Sequence, residues 1–229
     1  MNLPHQSPAV AVAGVERTIA AAPAANKVVR NTYLLLSMTL AFSAVTAAAS
    51  LALKLPHPGL ILTLVGYFGL LFLTTRFRDS ALGLAFVFAL TGFMGYTLGP
   101  VLNAYLALPN GTQLVMTAMG GTAAIFLGLS AYALASGRDF SFIGGFLSVG
   151  ILVAFLAGLG AMFFELQGLS LAVSAMFVLL MSGLILYETS NIIRGGETNY
   201  IMATVTLYVS IFNLFTSLLQ LLGFAGRDD

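Results

Sequence analysis

The side chains of this chain that could do chemistry are few and lie near its end. Glu188 is an acid set among Leu184, Ile185, Leu186, Ile192 and Ile193. Further on, Thr206, Ser210, Asn213, Ser217 and Gln220 follow one another at spacings of four, three, four and three. That pattern puts all five on one face of a helix. If the helix carrying Glu188 ends near Arg194, its carboxyl lies six residues, or about 9 Å, inside the boundary. An ionised acid at that depth is costly unless it is paired, solvated or protonated. Arg76 and Arg78 are the available cations, with Arg194 a third, and a gated polar contact between Glu188 and Arg76 is the expectation. The plainer reading is that Glu188 reaches to the headgroups and does nothing. The polar row on the later helix also has two readings: it lines a hydrated cavity, or it hydrogen-bonds the helix into a bundle.

The elements that must position these groups follow from composition. Of 229 residues, 59% are hydrophobic and 7% charged. A soluble domain carries roughly a quarter charged residues, so this is a polytopic membrane protein. Net charge is +1; with no basic patch to meet phosphates, nucleic acid is excluded as a partner. Cysteine is absent, so neither a disulfide framework nor a thiolate nucleophile is available. The first thirty residues lack the order of a cleavable signal peptide, and residues 1–29 read as a loosely ordered tail.

A crossing needs about 20 apolar residues, and residues 30–226 supply seven candidate helical spans. They cover roughly 31–53, 59–75, 80–98, 113–135, 140–164, 169–193 and 199–224, the third extending towards 106 through a break at Gly99-Pro100. Nothing alternates as a barrel strand does, so the fold class is all-α, a bundle of seven transmembrane helices. Arg17, Lys27, Arg30, Arg76, Arg78, Arg138 and Arg194 fall at one side, against Lys54 and Arg227 at the other. That bias places the N-terminus in the cytoplasm and, with an odd number of spans, the C-terminus outside. Small residues recur at Gly92, Gly95 and Gly99, at Gly120, Ala124 and Gly128, and at Gly150, Ala154 and Gly158. Such spacings let helices approach closely. Asn191 and Asn199 flank a short loop and read as capping or turning residues.

Catalysis is rejected on residue types. His5 and His57 are the two histidines, and neither lies in a span. A zinc protease lacks its ligands, and a serine hydrolase lacks a base beside its nucleophile. Asp79, Asp139, Asp228 and Asp229 sit at loops or ends, so no buried aspartyl pair exists; Lys27 and Lys54 lie outside the spans, so no Schiff-base lysine does either. No cofactor or metal is called for.

The run LYETSNIIRGGETNYIMATVTLYVSIFNLFTSLLQLLGF, at 186–224, closely resembles the end of the transmembrane Bax inhibitor motif family, in its bacterial YccA branch. RNTYLLLSMTLAFSA (30–44), PGLILTLVGYFGLLFLT (58–74) and TGFMGYTLGPVLNAYL (91–106) are similar to it as well, so the likeness covers about residues 27–226. It implies a seven-helix protein of the bacterial inner membrane with a cytoplasmic N-terminus and a periplasmic C-terminus. It also implies two functions. One is association with the membrane-anchored AAA protease FtsH and restraint of its action, the tail offering a handle. The other is a pH-sensitive calcium or cation leak in which two facing acids share protons and engage an arginine of the second helix. Glu188 matches the first acidic position. The second falls at Ser210, which cannot ionise, and the arginine matches Arg76 or Arg78 only loosely. A proton-sharing pair is therefore missing from this chain.

Overall fold

A computed structural model describes the backbone of residues 8–225 and the side chains of residues 26–225. Seven α-helices follow one another: α1 Pro8–Ala52, α2 Leu60–Arg76, α3 Ala81–Leu106, α4 Gly111–Ser136, α5 Gly144–Phe163, α6 Gln167–Ile193 and α7 Tyr200–Ala225. A short 3-10 turn, Ser141–Ile143, precedes α5. Helix α1 reaches back to Pro8, so most of the segment read as a loose tail has helical backbone; its Ala-rich run favours that conformation. The rest of that expectation, residues 1–7 with His5, lies outside the described residues.

Six of these helices are long and apolar enough to cross a membrane, not the seven expected. The exception is α2, which is apolar but has 17 residues, about 25 Å at 1.5 Å per residue, against a hydrocarbon thickness of about 30 Å. Its length is set by its ends. Pro56 and Pro58 precede it, and Gly59 enters the helix at φ 83°, a left-handed conformation that glycine adopts without strain. At the other end the chain turns straight into α3, where Gly83 packs on the Phe77 carbonyl with no room for a side chain.

Helix α7 is the centre of the bundle. Leu207 and Tyr208 belong to a buried cluster with Leu36 of α1, Leu90 of α3 and Ile192 of α6. Leu214 joins a second cluster with Leu180, Met181 and Ile185 of α6, which carries on to Leu147 and Ala154 of α5. Phe215 and Leu219 pack with Ala118 of α4. At the periphery, α5 turns Phe146, Val149, Leu152 and Phe163 outward, as a helix facing lipid does.

The glycine rows behave differently from one another. A Cβ on Gly92 would strike the Phe42 ring, one on Gly95 would strike Thr46 and Ser43, and one on Gly99 would strike Ser50. These glycines hold α3 against α1. Gly150 likewise lies against Leu180 of α6, with Ala154 buried beside it. The third row does not pack: Gly120 and Gly128 have nothing within 4 Å, and Ala124 is exposed. Spacing alone cannot separate an inward row from an outward one, because both have the same period.

The expected break at Gly99-Pro100 is absent, and α3 runs unbroken through Pro100. Proline has no N–H to give the carbonyl four residues back, at Tyr96. Ser50 Oγ of α1 donates to that carbonyl instead, at 2.9 Å. Inside a bilayer such a rescue is what allows a helix to carry proline. Replacing Gly95 or Gly99 by valine overpacks the α1–α3 contact and lowers stability by about 1–3 kcal/mol. Gly128→Val changes stability by less than about 0.5 kcal/mol. Thermal unfolding midpoints in detergent, compared across the three variants, measure both effects.

Candidate functional site

The polar groups singled out above lie on two helices, α6 and α7. Glu188 is 5% exposed, one turn from Ile185 at 0% and Ile192 at 1%. Among the described residues no hydrogen bond or ion pair reaches its carboxyl. Its neighbour Thr189 faces α1, with Oγ1 3.3 Å from Tyr33 Oη.

Arg76 and Arg78 are not brought to Glu188. Arg76 is exposed at the end of α2, its guanidinium 5.8 Å from the centre of the Phe77 ring. Arg78 lies in the next turn, Nε 3.6 Å from Asp79 Oδ2. Arg194 turns to the α4–α5 loop, donating to the Gly137 carbonyl at 2.6 Å with Asp139 Oδ1 at 3.9 Å. The expected contact between Glu188 and Arg76 is therefore not made in this conformation. A long cationic side chain at a helix end reaches the surface and an aromatic face, which spares it the desolvation that a place beside a buried acid would cost.

The row on α7 is turned into the bundle: Ser210 is wholly buried, Ser217 nearly so, and Thr206, Asn213 and Gln220 are half-buried. Much of its hydrogen bonding is spent within α7 itself. Ser210 Oγ donates to the Thr206 carbonyl at 2.7 Å, and Asn213 Nδ2 to the Val209 carbonyl at 2.9 Å. Gln220 makes the bonds that cross to a neighbour: its Oε1 accepts from Ser174 Oγ at 2.6 Å and its Nε2 donates to Ser170 Oγ at 2.5 Å, both on α6. A cavity of about 140 Å³ opens beside it, between Tyr105, Gln167, Leu171 and Phe224.

A second polar centre went unread in the sequence. Tyr208 Oη donates to the Thr91 carbonyl of α3 at 3.2 Å and lies 2.6 Å from Ser43 Oγ of α1. With its own proton given to Thr91, it accepts from Ser43. One phenol thereby ties three helices together. The available signal was a tyrosine in the middle of an apolar helix, where its hydroxyl must find a partner.

At the end carrying the arginines, the loops are fastened to the helices. Asn199 caps α7: its Oδ1 accepts from the N–H groups of Ile201 and Met202 at 3.0 and 3.1 Å. Its Nδ2 donates to Asp79 Oδ1 at 2.8 Å and to the Arg78 carbonyl at 3.1 Å. Asn191 turns the α6–α7 loop, its carbonyl accepting from Gly196 N at 2.9 Å. Ser190 Oγ donates to the Arg138 carbonyl at 3.0 Å and accepts from Phe140 N at 3.3 Å. Asp139 accepts from Ser141 N at 2.8 Å. That backbone bond, then the Ser141 side chain and the Arg194 charge, holds the Asp139 carboxyl below the ordinary aspartate range. These links put Arg78, Arg138 and Arg194 at one end of the molecule.

Chemically, this arrangement holds helices and loops in place. Among the described residues no group of three or more His, Asp or Glu is placed to bind a metal. The class is thus a polytopic helical membrane protein built around a polar central helix. A family profile described as "Inhibitor of apoptosis-promoting Bax1" matches residues 25–227, and the chain belongs to that Bax inhibitor family. It is 57% identical over 203 residues to the protein named Modulator of FtsH protease YccA from Escherichia coli K12, covering 89% of this chain and 92% of that one. The same identity and coverage hold for a protein named Inner membrane protein YccA from Escherichia coli strain CFT073. A membrane protein of Vibrio cholerae is 45% identical over 205 residues, 89% of this chain and 92% of its own length. The names given to the first of these relatives and to the family are those of a modulator and an inhibitor.

Two outcomes test the site. Tyr208→Phe strands the buried Ser43 hydroxyl and destabilises by about 1–3 kcal/mol. Adding Ser43→Ala removes the stranded group, so the double variant loses less than the sum of the two singles in thermal unfolding. Asp139 acts on the pH dependence. A carboxyl with a folded pKa below its unfolded value gives stability that is present above the unfolded value and lost as pH falls through the folded one. The unfolding midpoint therefore drops as pH is lowered from about 5 towards 3. Asp139→Asn removes that part of the drop.

Proposed function

We propose that this protein is an inner-membrane modulator of the membrane-anchored AAA protease FtsH, acting by association and not by chemistry. The observation that carries this reading is the 57% identity, over nearly the whole length of both chains, to a relative whose name states that role. In this reading α2 is the seventh crossing, shortened but within the range of about 17–25 residues that suffices to span. The N-terminus then lies in the cytoplasm and the C-terminus in the periplasm, the Lys and Arg bias deciding the orientation. Residues 1–29 supply a handle beyond the first crossing that an unfoldase can grip. The bundle behind it resists extraction, because α1, the helix being pulled, is held to α3 at Gly95 and Gly99 and to α7 through Ser43 and Tyr208.

A second reading, a proton-linked calcium or cation leak, draws support from one observation: Glu188 is buried without a hydrogen-bond partner among the described residues. Against it stands Ser210 where a second acid is needed, and the solvent-facing Arg76.

Co-purification from native membranes tests the first reading. The full-length chain carries the protease with it, and a chain lacking residues 1–29 carries less. Failure of the full-length chain to enrich the protease overturns it. Calcium flux into proteoliposomes at several pH values tests the second, which requires a flux that Glu188→Gln abolishes.

A further inference from the structure

The outer face of α2 has features that set it apart from the lipid-facing surfaces of the other helices. Leu62, Val65, Gly69, Phe72 and Arg76 recur at spacings of three, four, three and four, and all five are exposed. Leu62 is 57% exposed, Val65 64% and Phe72 68%. Gly69 has nothing within 4 Å of a Cβ position, so it leaves a notch in the middle of the row. One flank of the notch is walled: the Phe68 ring meets Phe155 of α5 edge-on, with centroids 5.9 Å apart.

The row ends on a cation held in place. Arg76 lies over Phe77, and the Phe77 ring in turn packs on Phe86 of α3, with centroids 5.5 Å apart. Among the described residues no carboxylate pairs with Arg76. Arg78, at the same turn, is paired with Asp79, which leaves Arg76 as the cation open to a ligand. An unpaired guanidinium at the end of an exposed apolar furrow matches a molecule with a negative head and an alkyl tail.

We propose that the outer face of α2 is a binding site for an anionic phospholipid, its phosphate on Arg76 and an acyl chain along Phe72, the Gly69 notch and Val65. This rests on the helices lying in a bilayer and is independent of any protease partner. A guanidinium suits phosphate through paired N–H donors. The acyl chain in the notch makes the site selective for a lipid over free phosphate.

The test uses the full-length chain in neutral detergent, titrated with phosphatidylglycerol, with phosphatidylcholine of the same chains, and with inorganic phosphate, reading the thermal unfolding midpoint. Phosphatidylglycerol raises the midpoint in a saturable way; phosphatidylcholine and inorganic phosphate do not. Arg76→Gln weakens the apparent affinity about fivefold, the equivalent of about 1 kcal/mol for one basic residue at an anionic surface. Gly69→Leu, whose Cβ has open space, also weakens it by filling the notch. Arg138→Gln, at another loop of the same end, leaves it unchanged. Equal binding by the Arg76→Gln chain, an equal loss in Arg138→Gln, or a shift produced by inorganic phosphate alone overturns the proposal.

Discussion

Inside hydrocarbon no water stands ready to take a hydrogen bond, so every hydroxyl and amide on a central helix must be answered by protein. Helix α7 meets that demand mostly from its own backbone. Ser210, Asn213, Thr204 and Thr216 each donate to the carbonyl four residues before them. A helix with its polar groups quieted in this way can be packed on by α1, α3, α4 and α6. What remains for partners is reserved for a few crossings: Tyr208 to α1 and α3, and Gln220 to α6. Among the described residues Glu188 is the one buried acid, and no partner reaches its carboxyl. The buried hydroxyls of Thr32 and Ser130 share that condition.

The same demand governs the α1–α3 contact. Pro100 frees a carbonyl at Tyr96, Ser50 answers it, and Gly99 allows Ser50 to come close enough to do so. Three residues that look unrelated in the chain form one device. At the end bearing the arginines, the loops are secured by the side chains of Asn199, Ser190 and Arg194 instead of by apolar packing. Those bonds lie where water competes and are individually weaker than buried ones. The membrane-embedded part is therefore the more firmly defined of the two, and the loops are where movement begins.

The role proposed above, holding on to a partner, would draw on two properties of this bundle. Helix α1 is joined to α3 by glycine-lined contact and to α7 by a buried phenol, so a force applied to the N-terminal segment is shared across the bundle. Helix α2 is joined mainly to α3 and offers its other face outward.

Composition and period determined a good deal without coordinates. Low charge and long apolar runs require membrane helices. The three-and-four spacing from Thr206 to Gln220 requires one polar face, because 3.6 residues make a turn whatever surrounds them. The resemblance at 186–224 already indicated the family. Tertiary structure alone decided the rest. It made α3 continuous through Pro100, because the compensating hydroxyl comes from another helix. It turned Gly92, Gly95 and Gly99 inward and Gly120, Ala124 and Gly128 outward, since periodicity identifies a face but not its direction. It set Arg76 on Phe77 and away from Glu188, because the place of a long cationic side chain depends on the aromatic rings and water it meets after folding. Spacing along the chain fixes which residues travel together; only packing fixes what they meet.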